Sequence, residues 1–183
     1  MELLKTTITF EEFEQIAALP ENAERILELI DGEIFEKMPS NLLSSRIATR
    51  IARFIDQYLD ANPIGHVTGE AGLYRVFQHN FAPDVGYISK ERLPELDYEH
   101  LCPLSPDLAV EVVSASDREK NLAFKIGNYL AAQTVIWVVY PVEKEVHVYV
   151  AGEPVQTLDI SGVLDGGKVL PGFQLAVKEI FPQ

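Results

Sequence analysis

The sequence predicts an α/β domain, and three observations predict it. The stretches 42–59 and 117–132 keep apolar residues at helical spacing. The runs "DLAVEVV" (107–113) and "TVIWVVYP" (134–141) read as strands buried on both faces. Gly, Pro and Asp punctuate the chain between these segments. With 183 residues, 47% of them apolar, the chain can bury a core as one domain over residues 1–183, and no repeat, linker or low-complexity tract divides it.

From the amino terminus, Thr9 followed by Glu12 is a capping-box pattern, and Phe13, Ile16 and Ala17 behind it make "FEEFEQIAAL" a short amphipathic helix that Pro20 ends. "RILELIDGEIFEKMP" reads as a turn at Asp31-Gly32 followed by a strand to about Met38. In the helix over 42–59, Ile47, Ile51, Ile55 and Tyr58 form one stripe. "HVTGEAGLYRVF" suggests two short strands around a turn at Gly69 and Gly72. "PDVGYIS" and "DLAVEVV" are the next strands, joined by a loop with Pro94 and Pro103. A helix follows from Asp117 to about Ala132, then "TVIWVVYP" and "KEVHVYVAG" as a buried strand and its neighbour, with a turn near Glu143-Lys144. The glycine-rich tail is short strands and turns, and "GVLDGG" lacks the Lys-Ser/Thr of a phosphate loop.

Composition narrows the function. One cysteine, Cys102, excludes an internal disulfide, and "MELLKTTITFEEFEQ" lacks the basic then apolar layout of a signal peptide, so a cytoplasmic location is expected. No apolar run reaches the roughly 20 residues of a membrane helix. A net charge of −13 works against non-specific attraction to a polyanion, because phosphate binding rests on local Lys and Arg. Arg46, Arg50 and Arg53, at i, i+4 and i+7 on one helix, are the candidate track for a phosphate backbone; a plain solvated face is the alternative. His66, His79, His100 and His147 show no metal-ligand spacing.

The acids carry more chemistry. Strand alternation sets Asp107, Ala109, Glu111 and Val113 on one face of their run, with Leu108, Val110 and Val112 on the other. At about 3.3 Å per residue, Asp107 and Glu111 stand roughly 13 Å apart, too far to share one ion. If "PDVGYIS" pairs antiparallel with Ile88 opposite Asp107, Asp84 falls opposite Glu111, where Cβ atoms lie about 4.5–5.5 Å apart and like charges repel unless a cation intervenes. Oxygen-only ligation by Asp84 and Glu111 points to Mg²⁺ or Mn²⁺. Asp84 and Asp107 also suit simple turn capping after proline. Glu111, inside "LAVEVV", is costly to bury without a partner. Lys125 borders the helical stripe of Leu122, Ile126 and Leu130; it either snorkels to solvent or reaches back to the sheet, where its charge would stabilise a phosphoryl-transfer transition state.

"PDV" followed by "SPDLAVEVVSASDREKNLAFKIGNYLAAQTVIWVVYP" resembles the Uma-two family of restriction-endonuclease-like proteins, a branch of the PD-(D/E)XK nuclease superfamily, and "LELIDGEIFEKMPS" resembles its Glu-rich first strand. The resemblance covers most of residues 10–150. It implies a restriction-endonuclease-like core, a mixed β-sheet flanked by helices, and Mg²⁺-dependent cleavage of DNA. Carried over by position, Asp84 matches the Asp of "PD", Glu111 the acid of "(D/E)XK", Lys125 a lysine displaced to the following helix, and Asp107 the second "PD"; Val113 stands where the usual lysine would be. Ser44 and Ser45 stand where many relatives have a His, Asn121 where an Asp is common, Gln133 where a Gly is usual, and Tyr140 where an Asp is found.

The reading is therefore a metal-dependent DNA endonuclease with Asp84, Glu111 and Lys125 as catalytic residues and Asp107 and Glu33 as supporting acids. A homodimer is expected, since two sites about a two-fold axis cut both strands of a duplex most simply. The alternative is a catalytically weak or inactive relative acting as an interaction protein, which would show an exposed apolar patch in place of positive potential around Asp84 and Glu111. A hydrolase of small phosphoesters would need a deep closed pocket.

Overall fold

The computed structural model describes residues 7–97, 99–114 and 119–182. Thr9 caps α1 (Phe10–Ala17) with the reciprocal box: its backbone N–H donates to the Glu12 carboxylate and its hydroxyl accepts from the Glu12 N–H. Phe13 is the residue this helix buries, against Leu27 and Leu29. Those leucines belong to β1 (Leu27–Ile30), which turns back into β2 (Glu33–Glu36) through Asp31 and Gly32 at φ 53° and 76°. Both central residues are left-handed, the conformation that favours Asp-Gly in a two-residue hairpin. A side chain at Gly32 would also strike Thr7.

Asn41 caps α2 (Leu42–Ala61), its side chain accepting from the Ser44 N–H. The buried stripe is Ile47, Ile51, Ile55 and Leu59; Tyr58, expected in that stripe, is half-buried beside it and donates to the Pro171 carbonyl. β3 (Gly65–Gly69) and β4 (Tyr74–Val76) follow as expected, but they do not pair with each other: β4 turns at Phe77 (φ 56°) into β5 (His79–Phe81). β6 (Val85–Ser89) and β7 (Leu108–Val112) are almost wholly buried. α3 (Glu119–Ala131) leads to β8 (Val135–Tyr140) and β9 (Glu145–Tyr149); the expected helix start at Asp117 lies outside the described residues. Three short strands complete the chain: β10 (Gln156–Leu158), β11 (Val163–Asp165) and β12 (Gln174–Ala176).

A six-stranded sheet, in the order β10-β9-β8-β7-β6-β3, forms the body. It is mixed: β7 and β8 run parallel, joined by the α3 crossover, and the other pairings are antiparallel. On one face α2 and the carboxyl-terminal hairpin pack against Leu108, Val110, Val112, Trp137 and Val139. On the other α3 lays Leu122, Ile126, Tyr129 and Leu130 over Ala109, Ile136 and Val138. A smaller antiparallel sheet, β2-β1-β5-β4, lies beside α3 through Val76, Phe81 and Ile30. No helix among the described residues is long and apolar enough to cross a membrane.

Candidate metal and phosphate site

β6 and β7 pair with Val85 opposite Val110, Gly86 opposite Ala109 and Tyr87 opposite Leu108, and the same register carried one residue further sets Asp84 opposite Glu111. The alternation expected of β7 holds: Leu108, Val110 and Val112 enter the α2 core, whereas Ala109 and Val113 face α3. Glu111 therefore emerges on the α3 side at the end of the strand. Asp84 is pinned at both ends, its N–H donating to the Val110 carbonyl at 3.0 Å and its Oδ2 accepting from the Val112 N–H at 2.7 Å.

Lys125 reaches back to the sheet. Its ammonium stands 2.7 Å from Glu28 Oε1 and 3.6 Å from Glu111 Oε1, over the Phe81 ring at 5.7 Å. Glu28 Oε1 also accepts from the Ala82 N–H at 2.8 Å, and the Tyr129 hydroxyl lies 3.4 Å from Glu111 Oε1. On the other flank Lys37 Nζ donates to Asp84 Oδ1 and to the Ala82 carbonyl, each at 2.9 Å. Glu28, Asp84 and Glu111 thus share with Lys37 and Lys125 one cleft of about 520 Å³, walled by Ile30, Phe35, Met38, Val112, Val113 and Leu122 and also lined by Glu36, which pairs with Arg25. Asp84 also borders a second cleft, of about 320 Å³, lined on α2 by Ser45, Ala48, Thr49 and Ala52.

Electrostatics follow from burial. Removal from water pushes the Glu111 carboxyl up to about 7; Lys125 opposes the shift, and Asp84 and Glu28 add to it. For Lys125 burial works to lower the pKa, but Glu111 and Glu28 outweigh it and hold the ammonium charged well above its ordinary range. Burial, and then Glu111, drive the Tyr129 hydroxyl well above the usual tyrosine value, so it stays a donor.

The other sequence candidates lie elsewhere. Asp107 is committed to structure: Oδ2 accepts from the Ser89 N–H at 2.7 Å and Oδ1 from Arg92 at 2.8 Å, which fixes the loop between β6 and β7. Glu33 is exposed on β2 and does not line the cleft. Arg46, Arg50 and Arg53 line neither cleft that contains Asp84. Arg50 is held by the Glu179 carbonyl and carboxylate, and it and Arg53 lie over the Phe54 ring. Ser44 is buried, and among the described residues its hydroxyl has no hydrogen-bond partner.

Two residues of the site escaped the sequence reading. Glu28 carried a usable signal, since it sits mid-strand between two buried leucines just as Glu111 sits within its own apolar run. Lys37, one residue past β2, carried none. Among the described residues no group of three or more His, Cys, Asp or Glu is placed to hold a metal ion; Asp84 and Glu111 are a pair of carboxylates opposed across two strands.

A crystal structure from Anabaena variabilis ATCC 29413, described as that of a "putative nuclease belonging to DUF820", shares the fold: it is 22% identical, with a TM-score of 0.79 over 95% of this chain and 97% of that one. No curated protein matches the chain in sequence. The model of the Uma2 family, described as "Putative restriction endonuclease", matches residues 10–178, and the chain belongs to that family.

Proposed function

We propose that the protein is a divalent-metal-dependent nuclease that hydrolyses phosphodiester bonds in DNA, with Asp84, Glu111 and Lys125 at the reacting phosphate. The observation that carries this reading is the opposition of Asp84 and Glu111 on adjacent strands with the Lys125 ammonium 3.6 Å from Glu111, all on one cleft floor. The family description supports it.

The donor set suits Mg²⁺ or Mn²⁺. Both ligands are carboxylates, and Mg²⁺ characteristically keeps several waters while binding through one or two such groups. Glu111, lifted to about 7 by burial and by its acidic neighbours, is a carboxylate short of counter-charge. The chemistry such an ion supplies is Lewis acidity toward a phosphoryl oxygen.

The chain's own residues supply the rest. Lys125 presents a permanently charged ammonium to the non-bridging oxygens of the phosphate, where negative charge grows as water adds to phosphorus and the bond to the leaving oxygen breaks. Glu28 is its positioning residue: it holds that ammonium and is itself fixed by the Ala82 N–H. Ile30, Phe35 and Leu122 thin the water around these charges, which strengthens each interaction.

The test is incubation of the purified protein with supercoiled plasmid and single-stranded DNA in Mg²⁺ or Mn²⁺, beside a chelator arm and Asp84→Asn. Cleavage that needs the metal and is lost in Asp84→Asn supports the reading; metal-independent cleavage, or none, defeats it. A second reading, an interaction protein on the same fold, has one observation in its favour. Met38, between β2 and α2, and Leu42, the first residue of α2, are 70% and 91% exposed, and Met38 shares the cleft wall with Phe35, on a chain of net charge −13. Under that reading no DNA is cut, and replacing Met38 and Leu42 by Ser abolishes partner binding.

A further inference from the structure

We propose that Lys37 is a tethered counter-ion of Asp84, an ammonium that occupies the metal side of the carboxylate pair and that a divalent cation must displace. This rests on the metal reading of the cleft given above. Lys37 Nζ lies 2.9 Å from Asp84 Oδ1, and its side chain and that of Asp84 are only 15% and 10% exposed, so the contact is a partly buried pair. Its second bond, to the Ala82 carbonyl, fixes the ammonium on the short link between β5 and β6 that carries Asp84.

The two lysines of the cleft differ in how they are held. Lys125 is gripped by Glu28 and Glu111 together and rises from the middle of α3. Among the described residues Lys37 pairs with one carboxylate, that of Asp84. Its backbone N–H is anchored to the Ile26 carbonyl at 2.8 Å, so a swing of the four-carbon side chain toward the cleft mouth leaves β2 undisturbed. Charge makes the competition unavoidable. With Lys37 in place, the carboxylates of Glu28, Asp84 and Glu111 face two ammonium groups, and one negative charge at most is left to attract a divalent cation. Removal of Lys37 leaves two. The resident ammonium also repels an arriving cation at the same oxygen.

Lys37 thus raises the metal concentration the site requires, while it keeps Asp84 paired when no metal is bound. The experiment is calorimetric titration of Mn²⁺ into the wild type, Lys37→Met and Lys37→Arg at pH 7.5. Lys37→Met is expected to bind Mn²⁺ at least about tenfold more tightly, and Lys37→Arg, which keeps the charge, to match the wild type. Equal or weaker binding by Lys37→Met, with the wild type binding normally, overturns the role of Lys37 and leaves the metal reading intact. Folded wild type and Lys37→Met that both fail to bind Mn²⁺ overturn the metal reading and this inference with it. Because Lys37→Met can lose stability through an unpaired Asp84, the wild type is also followed by NMR during Mg²⁺ titration. The Lys37 side-chain resonances should move from a fixed, ion-paired position to a solvent-exchanging one in step with binding; no movement at saturation refutes displacement.

Discussion

Glu28 and Lys125 meet at 2.7 Å although ninety-seven positions separate them in the chain. The contact ties the small sheet, through β1, to α3, and it turns a lysine that could have lain along the helix surface into a buried cation aimed at Glu111. Lys125→Met should therefore be costly in stability as well as activity. It leaves Glu28 and Glu111 as neighbouring buried acids without their cation, a loss of about 3 kcal/mol on the scale of broken buried pairs. The Glu28→Gln, Lys125→Met double variant should recover at least about 1 kcal/mol relative to the sum of the single changes. Urea unfolding of the four proteins closes the cycle; strict additivity would show that the pair is uncoupled.

His79 predicts a loss of stability in acid. Its Nδ1 accepts the Asp31 N–H at 3.0 Å, and its ring stacks on Phe81 and meets the edge of Phe124, so the fold requires the neutral imidazole. Burial lowers its pKa, and Asp31 opposes that shift only in part. The folded state thus declines a proton that the unfolded chain accepts below about pH 6.5. In that window the unfolded state binds more protons, so this contribution to stability is full above about pH 6.5 and shrinks as pH falls toward the folded pKa. An NMR titration of the His79 ring should give a midpoint below the free-histidine value; a midpoint at or above it contradicts this account.

Gln133 supplies a third prediction. α3 ends in a Schellman motif: the Thr134 N–H donates to the Tyr129 carbonyl and the Gln133 N–H to the Leu130 carbonyl, with Gln133 at φ 62°. A glutamine is strained in that left-handed position and glycine is not. Gln133→Gly should stabilise by up to about 1 kcal/mol, less the entropy that glycine returns to the unfolded chain. A fall in the thermal midpoint would mean that the glutamine side chain has a role of its own.

The legible and illegible parts of the site divide along local and non-local lines. The Asp84–Glu111 opposition could be read because Asp84 heads one short apolar strand and Glu111 sits in the next, and β6 and β7 adopt the register supposed for them. Lys125 was readable only as an ambiguity. Helical spacing puts it beside the Leu122 stripe, and the group that draws it inward, Glu28, comes from a different sheet. Among the acids of "LELIDGEIFE" the choice fell on Glu33, because nothing local says which face of the hairpin meets α3. The arginines show the same limit: their spacing gives them a common face, but it does not show that Arg50 meets Glu179, 129 positions further on. The hairpin of β4 and β5 was missed because each strand has only three residues, too few for a period to show.

Glu111→Gln should reverse its effect on stability according to whether metal is present. The Glu111 carboxyl is raised to about 7, first by burial and then by Asp84 and Glu28, against the pull of Lys125. Between about pH 4.5 and 7 the folded state retains a proton that the unfolded chain releases, so the group's contribution to stability declines as pH rises through that range and is flat above it. Glutamine removes the ionisation. Near pH 4.5 the variant should be level with the wild type or slightly below it, and by pH 8 it should exceed the metal-free wild type by about 3 kcal/mol, a shift that already contains the attraction of Lys125. Millimolar Mg²⁺ or Mn²⁺ changes the comparison, since a ligand that binds the folded state stabilises it in proportion to the logarithm of its concentration, and a neutral amide is a poorer ligand than a carboxylate for a hard cation. Thermal unfolding of both proteins at pH 8, with chelator and then with metal, reads the reversal directly. The wild-type midpoint should rise with metal while that of Glu111→Gln stays fixed. An equal rise in both, or none in the wild type, would mean that Asp84 and Glu111 hold no metal and that the paired acids of the cleft serve the fold alone.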